Sequence, residues 1–167
     1  VSALEDAYIE HISCNNKSLN FEISLTTQLK GKSFCENGVI ILDGMAPSDS
    51  PCNQETYARL DAPQYPDDPA LQGTHFRCAL KVVTDGKVEY KTKSIVISNA
   101  KNATVVFCTE NSFNGYDKHP VLEGKEFKNA CLEKLGKVNE NDFEGMKTAH
   151  INDFSSYFNR VNLDIGT

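Results

Sequence analysis

The densest group of residues able to do chemistry lies in residues 111–120, whose sequence is NSFNGYDKHP. Asn114, Asp117 and His119 offer polar and ionisable groups, and Tyr116 offers an aromatic face. Such a mixture suits contact with a sugar or with a partner domain, because polar groups fix orientation while a ring supplies stacking area. It also suits an ordinary strand-to-helix connection, so both interpretations stay open from the loop alone.

Elsewhere the sequence offers no recognisable catalytic motif. It has no G-x-S-x-G elbow and no glycine-rich phosphate loop. Its carboxylate pairs fall in predicted loops or near predicted helix starts, where acids are common for structural reasons. The histidines are far apart and form no HxH or HExxH pattern of the kind that holds metals. We therefore expect no metal and no cofactor. The histidines are His11, His75, His119 and His150.

Six cysteines are spread along the chain, and no two are close enough for a CxxC pair. An even number allows three disulfides, but a chain of 167 residues can bury a sizeable core without them. Cys78 and Cys108 stand inside apolar stretches, where a free cysteine packs as a small hydrophobic residue. We expect most of these thiols to be free: Cys14, Cys35, Cys52, Cys78, Cys108 and Cys131.

The composition is that of a globular domain, with 40% hydrophobic and 24% charged residues. A net charge of −6 argues against nucleic acid as a partner, because there is no basic excess to neutralise phosphates. No apolar run reaches the roughly 18 residues that a membrane-spanning helix needs. The chain opens on Val1 without a secretory signal. We expect it to come from a longer protein that is secreted or periplasmic.

Alternating apolar and polar residues predict strands through the first two thirds of the chain. The alternation is clearest in residues 19–29, which indicates a strand with one buried face. Residues 105–108 are apolar on both faces, which predicts an interior strand covered on both sides. Residues 45–72 hold five of the six prolines and predict a long surface excursion. Roughly seven or eight strands separated by turns favour an antiparallel β-sandwich.

Turn residues predict how these strands pair. Asp85-Gly86 separates two alternating runs and predicts a hairpin between residues 76–82 and 88–92. Residues 94–98 and 103–109 are expected to pair in the same way, across the polar turn between them.

From residue 123 the apolar spacing becomes helical. Phe127, Ala130, Cys131 and Leu135 form one stripe, and Gly136 is a candidate C-cap. A second helix is predicted over residues 141–150, and a third begins near residue 152. We therefore divide the chain into a β-sandwich at 1–122 and a helical linker at 123–167.

Several of these segments together resemble glycoside hydrolase family 95, the α-L-fucosidases and related α-L-galactosidases. The closing segment, residues 150–166, reads H-x-x-D-F-x-x-Y-F-x-R-V-x-L-x-I-G. It is similar to the family's closing motif, with Tyr157 where the family usually has Leu and Ile165 in a later Leu place. The Gly44-x-Ala46-Pro47 tetrad, the strand at 103–109 and the loop after that strand also resemble the family.

The resemblance implies a super-sandwich-like N-terminal domain, here incomplete, followed by linker helices and a catalytic (α/α)6 barrel. The family's catalytic residues have no matching positions in this chain, so no catalytic residue is assigned. The resemblance implies that His150, Asp153 and Arg160, together with the loop residues, contact substrate or the barrel. A fucosylated glycan is then a ligand of the parent enzyme.

The end of the chain favours this interpretation. Apolar residues recur there with too little local core to bury them, which predicts a surface that a partner covers. They are Phe154, Phe158, Val161, Leu163 and Ile165. An independent carbohydrate-binding module acting through Tyr116, Asp117 and His119 is the alternative. The lack of Trp weighs against that alternative, because stacking on sugars usually relies on exposed aromatic platforms.

Overall fold

A computed structural model describes residues 1–15, 18–49, 63–139, 141–163 and 166 of this chain. The described part is mainly β, with eight strands in two antiparallel sheets followed by two helices. The strands are β1 (Tyr8–Ser13), β2 (Leu19–Ser24), β3 (Lys30–Glu36), β4 (Val39–Met45), β5 (His75–Thr84), β6 (Lys87–Tyr90), β7 (Ser94–Ala100) and β8 (Asn102–Asn111). The helices are α1 (Lys128–Lys137) and α2 (Phe143–Phe158), and a 3-10 turn spans Pro69–Leu71.

The two sheets form the predicted sandwich. One sheet has the strand order β1-β8-β5-β4-β3, and the other has the order β2-β7-β6. Their facing sides share one core, in which Leu80 and Val105 of the larger sheet cluster with Ile95 and Ile97 of the smaller. The alternation predicted for β2 is observed, since Phe21 packs against this core and its neighbours are exposed.

The predicted pairing of β5 with β6, and of β7 with β8, is wrong. Strand β5 lies between β4 and β8, whereas β6 pairs with β7 in the other sheet. Each turn therefore carries the chain from one sheet to the other. Asp85, in the turn between β5 and β6, is bonded to the turn between β7 and β8. Its carboxylate accepts hydrogen bonds from the backbone N–H groups of Lys101 (2.8 Å) and Asn102 (3.0 Å). A turn signal reverses the chain but does not decide which sheet receives the next strand.

Helix α1 covers the outer face of the larger sheet. Cys131 and Leu135 are buried against Ala79 and Val106, which forms a second core on that side. The interior strand β8 is thereby covered on both faces, as its two-sided apolar sequence predicts. Gly136 lies within α1 rather than capping it, and the helix ends at Lys137.

The segment predicted as two further helices is one helix, α2. Asp142 caps its N-terminus, with Oδ1 accepting from Gly145 N at 3.0 Å. The residues expected to start a third helix continue α2 without a break, because no Gly or Pro interrupts it there. Residues 50–62 of the proline-rich excursion, Cys52 among them, and Ile165 lie outside the described residues.

Candidate docking surface

The segment 112–124, which we call the joint loop, is fixed to the larger sheet at its root. Ser112 is buried, and its N–H donates to His75 O at 2.8 Å. In return, His75 N–H donates to Ser112 Oγ at 3.0 Å. Lys125 N–H then donates to Ser112 O at 3.1 Å and closes the loop. The loop therefore has a defined shape where it leaves the sandwich.

Inside the joint loop, Asn114 and His119 form hydrogen bonds that hold the turn of the backbone. Asn114 Nδ2 donates to Glu123 O at 2.8 Å. Glu123 N–H donates to His119 O at 3.0 Å, and Glu123 Oε2 accepts from His119 N–H at 3.2 Å. Between them, Gly115 has a φ of +119°, which L-residues with a side chain rarely adopt.

The imidazole of His119 uses both ring nitrogens. Its Nδ1 accepts from Val121 N–H and Leu122 N–H, each at 3.2 Å. Its Nε2 lies 3.0 Å from Ala70 O in the 3-10 turn. Because a backbone N–H can only donate and a carbonyl can only accept, these bonds require the tautomer with its proton on Nε2. His119 thus joins the joint loop to a turn from a distant part of the chain.

These bonds change what the loop can offer to a ligand. The amide nitrogen of Asn114 and both ring nitrogens of His119 already have backbone partners. Tyr116 is 98% exposed, and Asp117 is also exposed. Phe113 and Leu122 of the joint loop are exposed as well, so a molecule that reaches the loop meets these two apolar side chains together with Tyr116 and Asp117.

The other three predicted contact residues lie on or just after α2. His150 is half-buried and lines an apolar cavity of about 130 Å³, together with Val1, Ser2, Ile9 and Met146. Asp153 is half-buried, and Arg160 is exposed. Within the described part of the chain, no hydrogen bond or ion pair links these three residues to the joint loop.

One side of the C-terminal half of α2 is apolar and exposed. Phe154 and Phe158 are 55% and 64% exposed, and their rings stack with centroids 5.3 Å apart. Ile151 and Tyr157 extend the patch on the helix, and Val161 and Leu163 continue it beyond the helix end. We call this set the aromatic stripe. The sequence predicted it correctly as an apolar segment without a local core.

Contacts show which way α2 runs. Phe143, at its start, stacks on His11, which pairs with Thr104 in the register of β1 with β8. One to two turns later, Met146 and His150 lie beside Val1 and Ser2. Val1 in turn lines a surface pocket together with Thr109, near the end of β8. The second half of α2 therefore extends towards the end of the sandwich from which the joint loop leaves.

Ion pairs beneath α1 hold the helical part against the sheet. Lys134 bonds to Glu110 of β8 and to Asp6 near the N-terminus, and Lys125 bonds to Glu110 at 3.0 Å. Burial raises the pKa of Glu110, but the hydrogen bonds from Lys134 and Lys125 outweigh it and leave that pKa below its usual value. The sequence could not predict these pairs, because they join segments that are distant along the chain.

Cys108 and Cys131 are buried in the core between α1 and the larger sheet. The described cysteines are free thiols. Burial raises the pKa of Cys131 to about 12, so its thiol is not a nucleophile at neutral pH. The described residues contain no group of three or more His, Cys, Asp or Glu side chains placed to hold a metal ion.

Two further findings concern the chain as a whole. Among the described residues, neither helix has the length and apolar character needed to cross a bilayer. No protein-family model and no curated protein matches this chain.

Proposed function

We propose that this chain is the non-catalytic β-sandwich and linker part of a glycoside hydrolase resembling the α-L-fucosidases of family 95. In this role it supports the catalytic barrel, and its joint loop lies at the barrel's active-site mouth. The parent enzyme would release fucose from a fucosylated glycan, using catalytic groups that this chain lacks.

The observation that carries the proposal is the aromatic stripe on α2. Burying one large apolar side chain is worth roughly 1.5–3 kcal/mol, so leaving Phe154 and Phe158 in water forgoes a large gain. A contiguous exposed apolar patch of this kind is typical of a surface that contacts another protein domain. The stripe extends towards the end of the sandwich that carries the joint loop, so one partner can cover both.

The hydrogen bonds inside the joint loop favour a structural role for this loop rather than a catalytic one. Its histidine is occupied by three backbone groups, and its asparagine by a fourth.

The alternative, an independent carbohydrate-binding module, has one observation in its favour. Tyr116 lies in a hydrogen-bonded loop and is almost fully exposed, as a sugar-stacking residue would be. His119, which this alternative needs as a second sugar-contacting residue, has no free ring nitrogen to offer a ligand.

The test has two parts. First, the isolated chain is assayed for fucose release from a 2′-fucosylated oligosaccharide, and we expect no turnover. Second, the region downstream of it in the gene is co-expressed as a separate polypeptide. We expect the two to co-purify, and we expect Phe154→Glu with Phe158→Glu to abolish the association. Tyr90→Glu, an equally exposed aromatic position on β6, is the matched control and should leave the association intact.

Turnover by the isolated chain would overturn the proposal. So would a downstream region that is not helical, or an association that survives the double substitution on α2.

A further inference from the structure

Two segments that are far apart along the chain meet at the end of the sandwich from which the joint loop leaves. One is residues 67–72, which contain the 3-10 turn, and the other is the joint loop itself. The structure describes every residue of both segments. We call the surface that they form together the turn–loop face.

The first link between the two segments is the imidazole of His119. Its Nε2 lies 3.0 Å from Ala70 O, and its Nδ1 accepts from Leu122 N–H at 3.2 Å. The ring therefore joins the backbone beside Leu71 to the backbone of Leu122. These leucines are 60% and 63% exposed, so two large apolar side chains are held near each other in contact with water.

A second link runs through His75 and does not involve His119. Ser112 N–H donates to His75 O at 2.8 Å, and His75 Nε2 lies 3.0 Å from Gln72 Oε1. Gln72 Nε2 in turn donates to Asp67 O at 3.1 Å, at the start of the turn. Two separate sets of hydrogen bonds thus fix the turn–loop face, so a partner that binds there loses less free energy in ordering it.

The exposed apolar side chains of the turn–loop face come from both segments. Leu71 belongs to the turn, and Phe113, Tyr116 and Leu122 belong to the joint loop. All four are more than half exposed. Such a group of large apolar side chains is typical of a surface that contacts another protein.

The charged residues of the turn–loop face are mostly acidic. The two segments hold four carboxylates and one lysine, which leaves a net charge of −3. All five side chains are exposed: Asp67, Asp68, Asp117, Lys118 and Glu123. Two lysines of adjoining segments have partners of their own, since Lys30 lies over the ring of Tyr65 and Lys125 pairs with Glu110.

These charges decide which partner fits the turn–loop face. A basic surface is attracted, whereas nucleic acid and an anionic membrane are repelled. A second copy of this chain is also disfavoured, because a two-fold contact would bring the same carboxylates against each other. The aromatic stripe extends towards the same end of the sandwich, so one partner can reach both surfaces.

We infer that the turn–loop face docks a protein surface with an apolar centre and a basic rim, the usual arrangement of an interface with the charge sign that this face requires. The partner surface belongs to the downstream region of the parent enzyme. In this the inference rests on the proposed function, to which it adds the residues 67–72 and the charge of the partner.

The experiment measures binding of this chain to the downstream region, produced as a separate polypeptide, by surface plasmon resonance. Leu71→Asp and Leu122→Asp each change an exposed side chain, and each should raise the Kd about tenfold or more. Tyr90→Asp is the matched control, because Tyr90 is 55% exposed on β6 in the other sheet. It should leave the Kd unchanged.

Asp67→Asn with Asp117→Asn tests the acidic rim. Asp68 is left in place because its side chain caps the 3-10 turn. At about 0.05 M salt the double variant should associate several-fold more slowly than the wild type, and at about 0.5 M salt the two rates should converge. Glu89→Gln with Glu133→Gln removes the same charge from exposed positions outside the face, and it should change the rate less.

The outcomes separate this inference from the proposed function. Wild-type affinity in Leu71→Asp and Leu122→Asp, with association lost in Phe154→Glu with Phe158→Glu, would overturn the inference and leave the proposed function in place. Wild-type affinity in all of these variants would contradict both.

Two further results would count against the choice of partner. One is an association rate that does not change with salt, because a basic rim requires that dependence. The other is self-association of the isolated chain in sedimentation velocity that Leu71→Asp abolishes, because a second copy would then cover the turn–loop face.

Discussion

Arg77 and Asp43 stand opposite each other on β5 and β4 and form a two-pronged ion pair beneath α1. Arg77 Nε and Nη2 each lie 2.6 Å from one carboxylate oxygen of Asp43. The side chains are only 11% and 28% exposed, and Lys128 at the start of α1 approaches the same carboxylate at 4.0 Å. The pair therefore lies where the sheet meets the helical part.

We expect Arg77→Met to destabilise the chain by roughly 2 kcal/mol, because it leaves the Asp43 carboxylate half-buried without its main partner. Replacing both residues, as Arg77→Met with Asp43→Leu, should restore part of that loss. Urea unfolding followed by circular dichroism measures the free energies of the wild type, of Arg77→Met, of Asp43→Leu and of the double variant, which together form a double-mutant cycle. Strictly additive losses would show that the two residues do not stabilise each other.

The thiol of Cys131 should be inert in the folded chain. It is fully buried, its pKa is raised to about 12, and it lies 3.6 Å from the carbonyl oxygens of Arg77 and Cys108. We expect no reaction with iodoacetamide at pH 8 until urea unfolds the chain, as peptide mapping by mass spectrometry would show. Cys131→Ala should cost about 1 kcal/mol by leaving a small cavity. Rapid alkylation without denaturant would contradict this burial.

Acid should weaken the link between β8 and α1. The pKa of Glu110 is lower in the folded chain than its ordinary value of 4.5, because the bonds from Lys134 and Lys125 outweigh burial. The folded state therefore favours the ionised form. This stabilisation is complete above pH 4.5 and is lost as the pH falls through the lowered pKa.

We therefore expect Glu110→Gln to reduce the fall in unfolding free energy between about pH 6 and pH 3 relative to the wild type. Guanidinium unfolding at several pH values measures the free energy of unfolding of each variant. Glu133→Gln, an exposed acid on α1, is the control and should leave the pH dependence unchanged. A Glu110→Gln curve parallel to the wild type would show that Glu110 is not responsible.

The two ring nitrogens of His119 can be tested separately. Asn places an acceptor near the position of Nδ1, whereas Gln places a donor near the position of Nε2. We expect His119→Asn to retain slow hydrogen exchange at the amides of Val121 and Leu122, and His119→Gln to lose it. Amide exchange followed by NMR measures both. Equal protection in the two variants would contradict the assigned tautomer.

The sequence by itself determined the strands, helix α1 and their buried faces, although it divided α2 into two helices. The period of two in β2 predicted the inward direction of Phe21, and the period near 3.6 in α1 predicted the buried stripe of Cys131 and Leu135. These results follow from local geometry, because the repeat of the backbone fixes which side chains share a face. The exposed apolar residues at the end of α2 could be predicted for the same reason.

Only the tertiary structure decided how the strands pair and what the joint loop does. Asp85-Gly86 reverses the chain, but β6 enters the other sheet, where it pairs with β7 while β5 pairs with β8. The loop sequence left open whether His119 contacts a ligand or belongs to an ordinary connection, because its partner Ala70 is 49 positions away along the chain. Such contacts depend on which distant segments pack together, and that is set by burial of the whole core rather than by any local pattern.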